Sequence, residues 1–295
     1  MNIKKYVRNP RMLKAVLGMD YKEFSELASL FEKSLYEFQK KKLNRKRRPG
    51  GGQKGALKTP AEKLFFTLTY LKVYPTFDVL AFMFNRHRGR SCEDIHRYIT
   101  VLESVLKQKL VLPERKIRSV EEFLEKFPEI KDIFPDGTER RIQRPKNQKR
   151  NNKTYSGKKK SHTRKNIVVT GGRKKILILS PTKSGRRHDK RLADKISLFE
   201  HVPEHVSIWA DTGFTGIRHI HENSFVPKKD HPLTPKEKQE NKIISSLRYV
   251  SEHAISGMKR FGIMIQTLRN KIGKFDDLIA LVCAGLWNFH LQTQD

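Results

Sequence analysis

Apolar positions recur at three- and four-residue spacing through the first part of the chain. Leu13, Val16 and Leu17, then Phe24, Leu27, Leu30, Phe31, Leu35 and Phe38, predict helix over 11–43. A basic, Gly-rich stretch follows from Lys40 to Lys58. Its Pro49-Gly50-Gly51-Gly52 run cannot hold regular structure and predicts a hinge or an extended arm. Thr59-Pro60 with Glu62 spells a capping box with proline at the first helical position, followed by an apolar face of Leu64, Phe65, Leu68 and Leu71. Pro75-Thr76 closes that helix and starts another carrying Phe77, Leu80, Ala81 and Phe84. A basic turn, Asn85 to Arg90, precedes a third, capped by Ser91 and carrying Ile95, Ile99, Leu102 and Leu106. Three helices with a short turn before the last predict a helix-turn-helix.

The period changes after Phe134. Pro113 and the charged segment 114–122 read as a linker region. Asn166–Thr170 and Lys175–Leu179 are aliphatic or β-branched runs around Gly171-Gly172, a hairpin signal. His188–Phe199 reads as helix and Val206–Ala210 as a buried strand. Lys236–Ile265 contains a long helix and Phe275–His290 another. Strands followed by alternating helices and strands predict a mixed α/β domain. The organisation expected is a helical region over 1–44, a linker over 45–58, a helix-turn-helix domain over 59–112 and an α/β domain over 129–295. No internal repeat is evident.

Charge narrows the function. The 295 residues include 62 Lys and Arg against 31 Asp and Glu, a net charge of +31. Self-repulsion disfavours a compact state, so such an excess points to a polyanionic partner, most commonly a nucleic-acid backbone. A membrane surface is the rival, but the longest apolar run, Leu278 to Trp287, is far short of the roughly 20 residues a span needs. The basic N-terminus has no apolar segment or cleavage site of a secretory signal. Cys92 and Cys283 form no CxxC pair, so neither a thiolate zinc site nor a disulfide framework is expected. These features point to a reducing cytosol, with association to the nucleoid.

Three acids stand out by position. Asp136 lies in Phe134-Pro135-Asp136-Gly137-Thr138-Glu139. Asp211 ends an apolar strand, where ligands gather in open α/β sheets. Glu252 sits beside the apolar helix positions Leu247, Val250, Ala254 and Ile255. A few carboxylates converging from separate elements suit Mg2+, which takes oxygen ligands and keeps several waters. Two such ions about 3.5–4 Å apart can activate the nucleophile and neutralise the leaving oxygen of a phosphodiester. Arg248, Glu252 and Lys259 fall on one helical face, cation-anion-cation, suited to a phosphate beside a metal-bound carboxylate. Singly, each signal is also that of a turn residue or a surface salt bridge.

Five ordered segments carry a resemblance: Asp136-Gly137-Thr138-Glu139, the run Tyr155 to Lys165, Gly185-Arg186-Arg187-His188-Asp189, Asp211-Thr212-Gly213-Phe214-Thr215-Gly216 and Arg248-Tyr249-Val250-Ser251-Glu252. Together they resemble the DDE transposases of bacterial insertion sequences, the insertion-sequence-five family, over roughly residues 45–290. The resemblance implies an RNase H-like fold for 129–295, a mixed sheet flanked by helices, behind an all-α helix-turn-helix domain. It implies Asp136 on the first strand, Asp211 just after the fourth and Glu252 on the following helix. It also implies the Arg-x3-Glu-x6-Lys pattern, met by Arg248, Glu252 and Lys259. Two positions depart from it: Ser245 replaces a tyrosine, and Ser251 a valine.

DNA-binding residues are sought in two places. Arg140 to Lys165 holds twelve Lys and Arg and no acid, inside the α/β domain. Arg140, Arg141, Lys158, Lys159, Lys160, His162, Arg164 and Lys165 are candidate phosphate contacts, with a solvated charge run as the bland reading. Tyr155 and His162 read equally as stacking groups or as surface. Arg86, Arg88, Arg90 and Arg97 cluster where a recognition helix would start. Asp189 reads equally as a helix start and as a helper near the site. The expected protein is a transposase with two Mg2+ or Mn2+ ions per site, acting on double-stranded DNA as a dimer or higher assembly, without a nucleotide cofactor. The alternatives are a catalytically silent, transposon-derived DNA-binding regulator and a nuclease without strand transfer.

Overall fold

A computed structural model describes residues 9–41, 55–229 and 231–294. Most of the expected linker, residues 45–54, lies outside the described residues. The chain forms two compact units. The first comprises residues 1–112 with 259–266 and 281–295; the second comprises 113–258 with 267–280.

In the first unit, α1 (Pro10–Leu17) and α2 (Tyr21–Lys41) make up the helical segment expected over 11–43. Asp20 and Glu23 exchange backbone N–H bonds at the start of α2, at 2.9 and 2.7 Å, and this reciprocal cap fixes the break. Next come α3 (Pro60–Val73), α4 (Phe77–Met83) and α5 (Arg88–Gln108). The Thr59–Glu62 capping box and the Thr76 cap form as the sequence predicts. Ser91 does not cap α5: its hydroxyl turns back onto the His87 carbonyl, and His87 caps the helix through Nδ1. Arg88 and Arg90 therefore lie in the first turn of α5.

The second unit is a mixed sheet. Its strands are β1 (Asp132–Arg141), β2 (Tyr155–Ser156), β3 (Ser161–Gly171), β4 (Ile176–Leu179), β5 (Lys183–Ser184), β6 (Ser207–Trp209) and β7 (Ser224–Phe225). Among the described residues the order is β2-β3-β1-β6-β7, with β4 and β5 also paired to β3. β1 and β3 are antiparallel, whereas β1, β6 and β7 are parallel. The expected hairpin is the turn from β3 to β4. Ile133, Ile167, Val169, Leu177, Leu192, Phe199, Ile208 and Phe214 form its core.

Helices flank the sheet: α6 (Val120–Lys126) within the supposed linker, α7 (Gln148–Thr154), α8 (Asp189–Lys195), α9 (Pro235–Leu247) and α10 (Tyr249–Lys259). The long helix expected over 236–265 is broken at Arg248 and again before α11 (Gly262–Ile265). The last helix, α12 (Phe275–Gln294), gives its first residues to the second unit. There Asp276 pairs with Arg164 at 2.6 Å, and Asp277 with Arg115 at 2.6 Å and the Thr182 amide at 2.7 Å. This architecture is the mixed α/β sheet flanked by helices, behind a helical N-terminal region, that the sequence predicts.

Candidate active site

The parallel register decides where the first two acids go. Ile133 on β1 pairs with Ile208 on β6, and both are fully buried. Asp136 stands three residues further along β1, and Asp211 three residues beyond Ile208, two past the end of β6, so the register that buries two isoleucines starts both aspartates from the same level. Each carboxylate accepts the next residue's backbone N–H: Asp136 Oδ1 from Gly137 at 2.7 Å, Asp211 Oδ1 from Thr212 at 2.6 Å. The Asp211 bond caps the short 3-10 turn Thr212–Phe214, which carries the chain away from the sheet.

Arg248, at the break between α9 and α10, completes the arrangement. Its Nη2 lies 3.9 Å from Asp136 Oδ1 and its Nη1 lies 3.8 Å from Asp211 Oδ1. Burial pushes the Asp136 carboxyl above its ordinary value, more than the Arg248 guanidinium and the Gly137 N–H lower it; Asp211 and Asp189 push it further up.

Asp189 sits behind this pair. It occupies the space where Gly137 and Gly213 lack side chains: a Cβ at 137 would lie 2.5 Å from Asp189 Oδ1, and one at 213 would lie 3.1 Å from Oδ2. His188, at the start of α8, makes no side-chain cap, and the Asp189 carboxylate pairs with Lys165 Nζ at 3.0 Å. Lys165 is buried, reaches Glu139 at 3.2 Å and donates to the Arg187 carbonyl. Burial raises the Glu139 carboxyl, but the Thr163 hydroxyl and Lys165 outweigh it and hold the group below its usual value.

Glu252 is exposed on α10, four residues beyond Arg248. Among the described residues no three or more His, Cys, Asp and Glu side chains are gathered into a set that could hold a metal ion. Asp136 and Asp211 are thus brought together around a guanidinium, and Glu252 does not close a three-carboxylate cluster with them.

Residues 135–288 match the family model of the DDE superfamily endonucleases. The chain belongs to that family. It is also 28% identical over 250 residues to a protein of Microchaete diplosiphon described as "Probable transposase for insertion sequence element IS702", covering 84% of this chain and 85% of that one. No solved structure matches. The DDE resemblance read from the motifs is therefore borne out at the level of the family and of the enzyme class.

Within this DDE endonuclease the candidate cations divide into two groups. Lys158, Lys159 and Lys160 are exposed on the turn between β2 and β3, and Arg141 is exposed at the end of β1. Arg140 is buried and donates to the Asp276 carbonyl; Arg164 and Lys165 serve the pairs given above. His162 lies against the Thr154 hydroxyl at 3.1 Å and edge-on to Tyr155, its partner across the β2–β3 ladder. In the first unit Arg86 pairs with Asp94 and lies over the Phe66 ring at 5.4 Å. Arg97 reaches the same Asp94 at 3.3 Å and Arg88 reaches Asp78 at 3.3 Å, while Arg90 is exposed. Lys259 ends α10, half-buried. The Glu139–Lys165–Asp189 network went unread in the sequence. The sequence singled out Asp189 as a possible helper near the site and Lys165 as a phosphate contact, but not their pairing with each other or with Glu139.

Proposed function

We propose that this DDE endonuclease is the transposase of an insertion sequence, of the insertion-sequence-five kind. It binds the element's terminal inverted repeats, cuts at the ends and joins the freed 3′-hydroxyl to target DNA. The observation that carries the reading is the convergence of Asp136 and Asp211 from neighbouring parallel strands around one cation. The likeness to a protein described as a probable transposase supports the choice of substrate.

The donor set fits a divalent cation. Both aspartates offer hard carboxylate oxygens, both are partly exposed, and the space between them already accepts positive charge from Arg248. Asp136 and Asp211 would hold Mg2+ or Mn2+, two ions per site, and Glu252, which stands outside the pair, would serve as a third ligand only by drawing in on the bound ion. A bound ion would lower the pKa of the attacking water or hydroxyl and neutralise the leaving oxygen. Asp189 and Lys165 keep the backbone after the two aspartates, strand β1 at Gly137 and the turn at Gly213, at a fixed spacing. Arg248 and Lys259 grip the phosphate flanking the scissile bond, and Lys158, Lys159, Lys160 and Arg141 follow the DNA backbone. Arg88, Arg90 and Arg97 on the 59–112 helix-turn-helix contact the terminal repeats, with Arg86 holding the start of α5. The protein works as a dimer or higher assembly because two DNA ends must be joined, and it needs no nucleotide. No helix among the described residues is long and apolar enough to cross a membrane.

The test is nicking of a supercoiled plasmid carrying the element's ends. The unsubstituted protein is expected to nick it only with Mg2+ or Mn2+. Asp211→Asn is expected to keep binding the end DNA and to lose nicking. Nicking by Asp211→Asn at the unsubstituted rate would refute the assignment.

A further inference from the structure

Arg248 is placed unusually for a phosphate-gripping residue. An arginine committed to one carboxylate makes a two-bond fork at about 2.7–2.9 Å. Here the two terminal nitrogens are divided between two carboxylates, at 3.9 and 3.8 Å, beyond hydrogen-bond reach. The side chain is only 13% exposed, and its buried Nε makes no hydrogen bond. Charge therefore holds the guanidinium in place, with few directed bonds. The Arg248 backbone is better fixed: its carbonyl accepts the Ser251 amide at 3.1 Å and the Ser251 hydroxyl at 2.9 Å. A long side chain on an anchored backbone can leave the acidic pair without disturbing α9 or α10.

We propose that Arg248 is a built-in counterion of the Asp136–Asp211 pair. It holds the two carboxylates together in the metal-free protein, competes with a divalent cation for them, and is released toward the DNA phosphate when that cation binds. The inference rests on the reading of Asp136 and Asp211 as metal-binding carboxylates. A guanidinium does not lose its proton in proteins, so it yields the place by moving. Removing one positive charge beside two carboxylates strengthens their attraction for any other cation. A phosphate that draws the guanidinium away has the same effect, so DNA binding and metal binding assist each other, and by linkage the assistance is equal in both directions.

The experiment is Mn2+ titration of the full-length protein without DNA, with free Mn2+ read by electron paramagnetic resonance. Arg248→Gln is expected to bind Mn2+ more tightly than the unsubstituted protein, on the order of tenfold, the low end of the change that residues around a metal site produce. Arg248→Lys keeps the charge, but its single ammonium cannot face both carboxylates as the fork does, and its affinity is expected to fall between the two. Asp211→Asn is expected to bind more weakly. If circular dichroism shows Arg248→Gln unfolded, the comparison of Arg248→Lys with the unsubstituted protein decides. Weaker binding by Asp211→Asn, combined with unchanged or weaker binding by the Arg248 variants, overturns the counterion role alone. Unsubstituted affinity in Asp211→Asn removes the metal reading itself, and the counterion role with it.

Discussion

Gly137 and Gly213 stand one and two residues after the paired aspartates, and both back onto the carboxylate of Asp189. A methyl group at 137 would lie 2.5 Å from Asp189 Oδ1, closer than any real contact, whereas at 213 the approach is 3.1 Å. Asp189 cannot easily retreat, because buried Lys165 ties it to Glu139. Gly137→Ala is therefore expected to cost about 1–3 kcal/mol of folding stability, the usual range for overpacking, and Gly213→Ala less. Chemical denaturation checks this. Shortening the obstructing side chain as well, in Gly137→Ala/Asp189→Ser, is expected to recover part of the loss, because residues in contact do not act additively. Simple addition of the two single costs would contradict the packing. Asp211 was legible in the sequence because it ends an apolar strand, and Asp136 because its motif opens the α/β half and matches the family pattern. Asp189 was read only as a helper or a helix start; its packing against both glycines was not legible, since three segments remote in sequence meet there and no local pattern records a tertiary contact.

At the scale of elements, the least legible feature was the break at Arg248. No proline or glycine interrupts 236–256, so the helical period runs unbroken through it and no local signal marks the residue. The strand β1 was equally hidden. It carries Pro135 and Gly137, poor strand formers, and its place came from the family resemblance, not from periodicity. Capping boxes and the β3–β4 hairpin were legible because their signals are local. The cation run 140–165 was half legible: its count is plain, but strand pairing decides which members turn inward, as Arg140 and Lys165 do. The start of α12 offers a pH test. Burial raises the Asp277 carboxyl, but Arg115 and the Thr182 amide prevail and lower it below its ordinary 3.8. A lowered folded-state value means that the stabilisation is present above 3.8 and is lost as pH falls through the folded value. Asp277→Asn is thus expected to lower the denaturation midpoint at neutral pH and to converge on the unsubstituted protein in strong acid. An equal deficit at both pH values would show that the ion pair with Arg115 contributes nothing.

Over the whole molecule, a charge of +31 suits a polyanionic partner, and the proposed acids of the site sit among cations. That setting explains why Asp136 and Asp211 share a guanidinium, and why cationic neighbours had to be read one at a time. Composition made the polyanionic partner legible and the ordered motifs made the family legible. The sequence predicted a three-carboxylate cluster, yet Glu252 is exposed and no such cluster closes among the described residues. Helical spacing fixes the face a residue occupies, not the distance from that face to a neighbouring sheet. If Asp136 and Asp211 bind the ion that drives strand cleavage, changing the ligand atom must change the metal that supports it. Asp211→Cys replaces a hard oxygen ligand with a sulfur that binds Mg2+ poorly and softer ions better. Plasmid nicking by this variant is expected to be lost in Mg2+ and restored in Mn2+, while the unsubstituted protein nicks with both. Equal nicking by Asp211→Cys in the two metals would show that Asp211 does not ligate the ion.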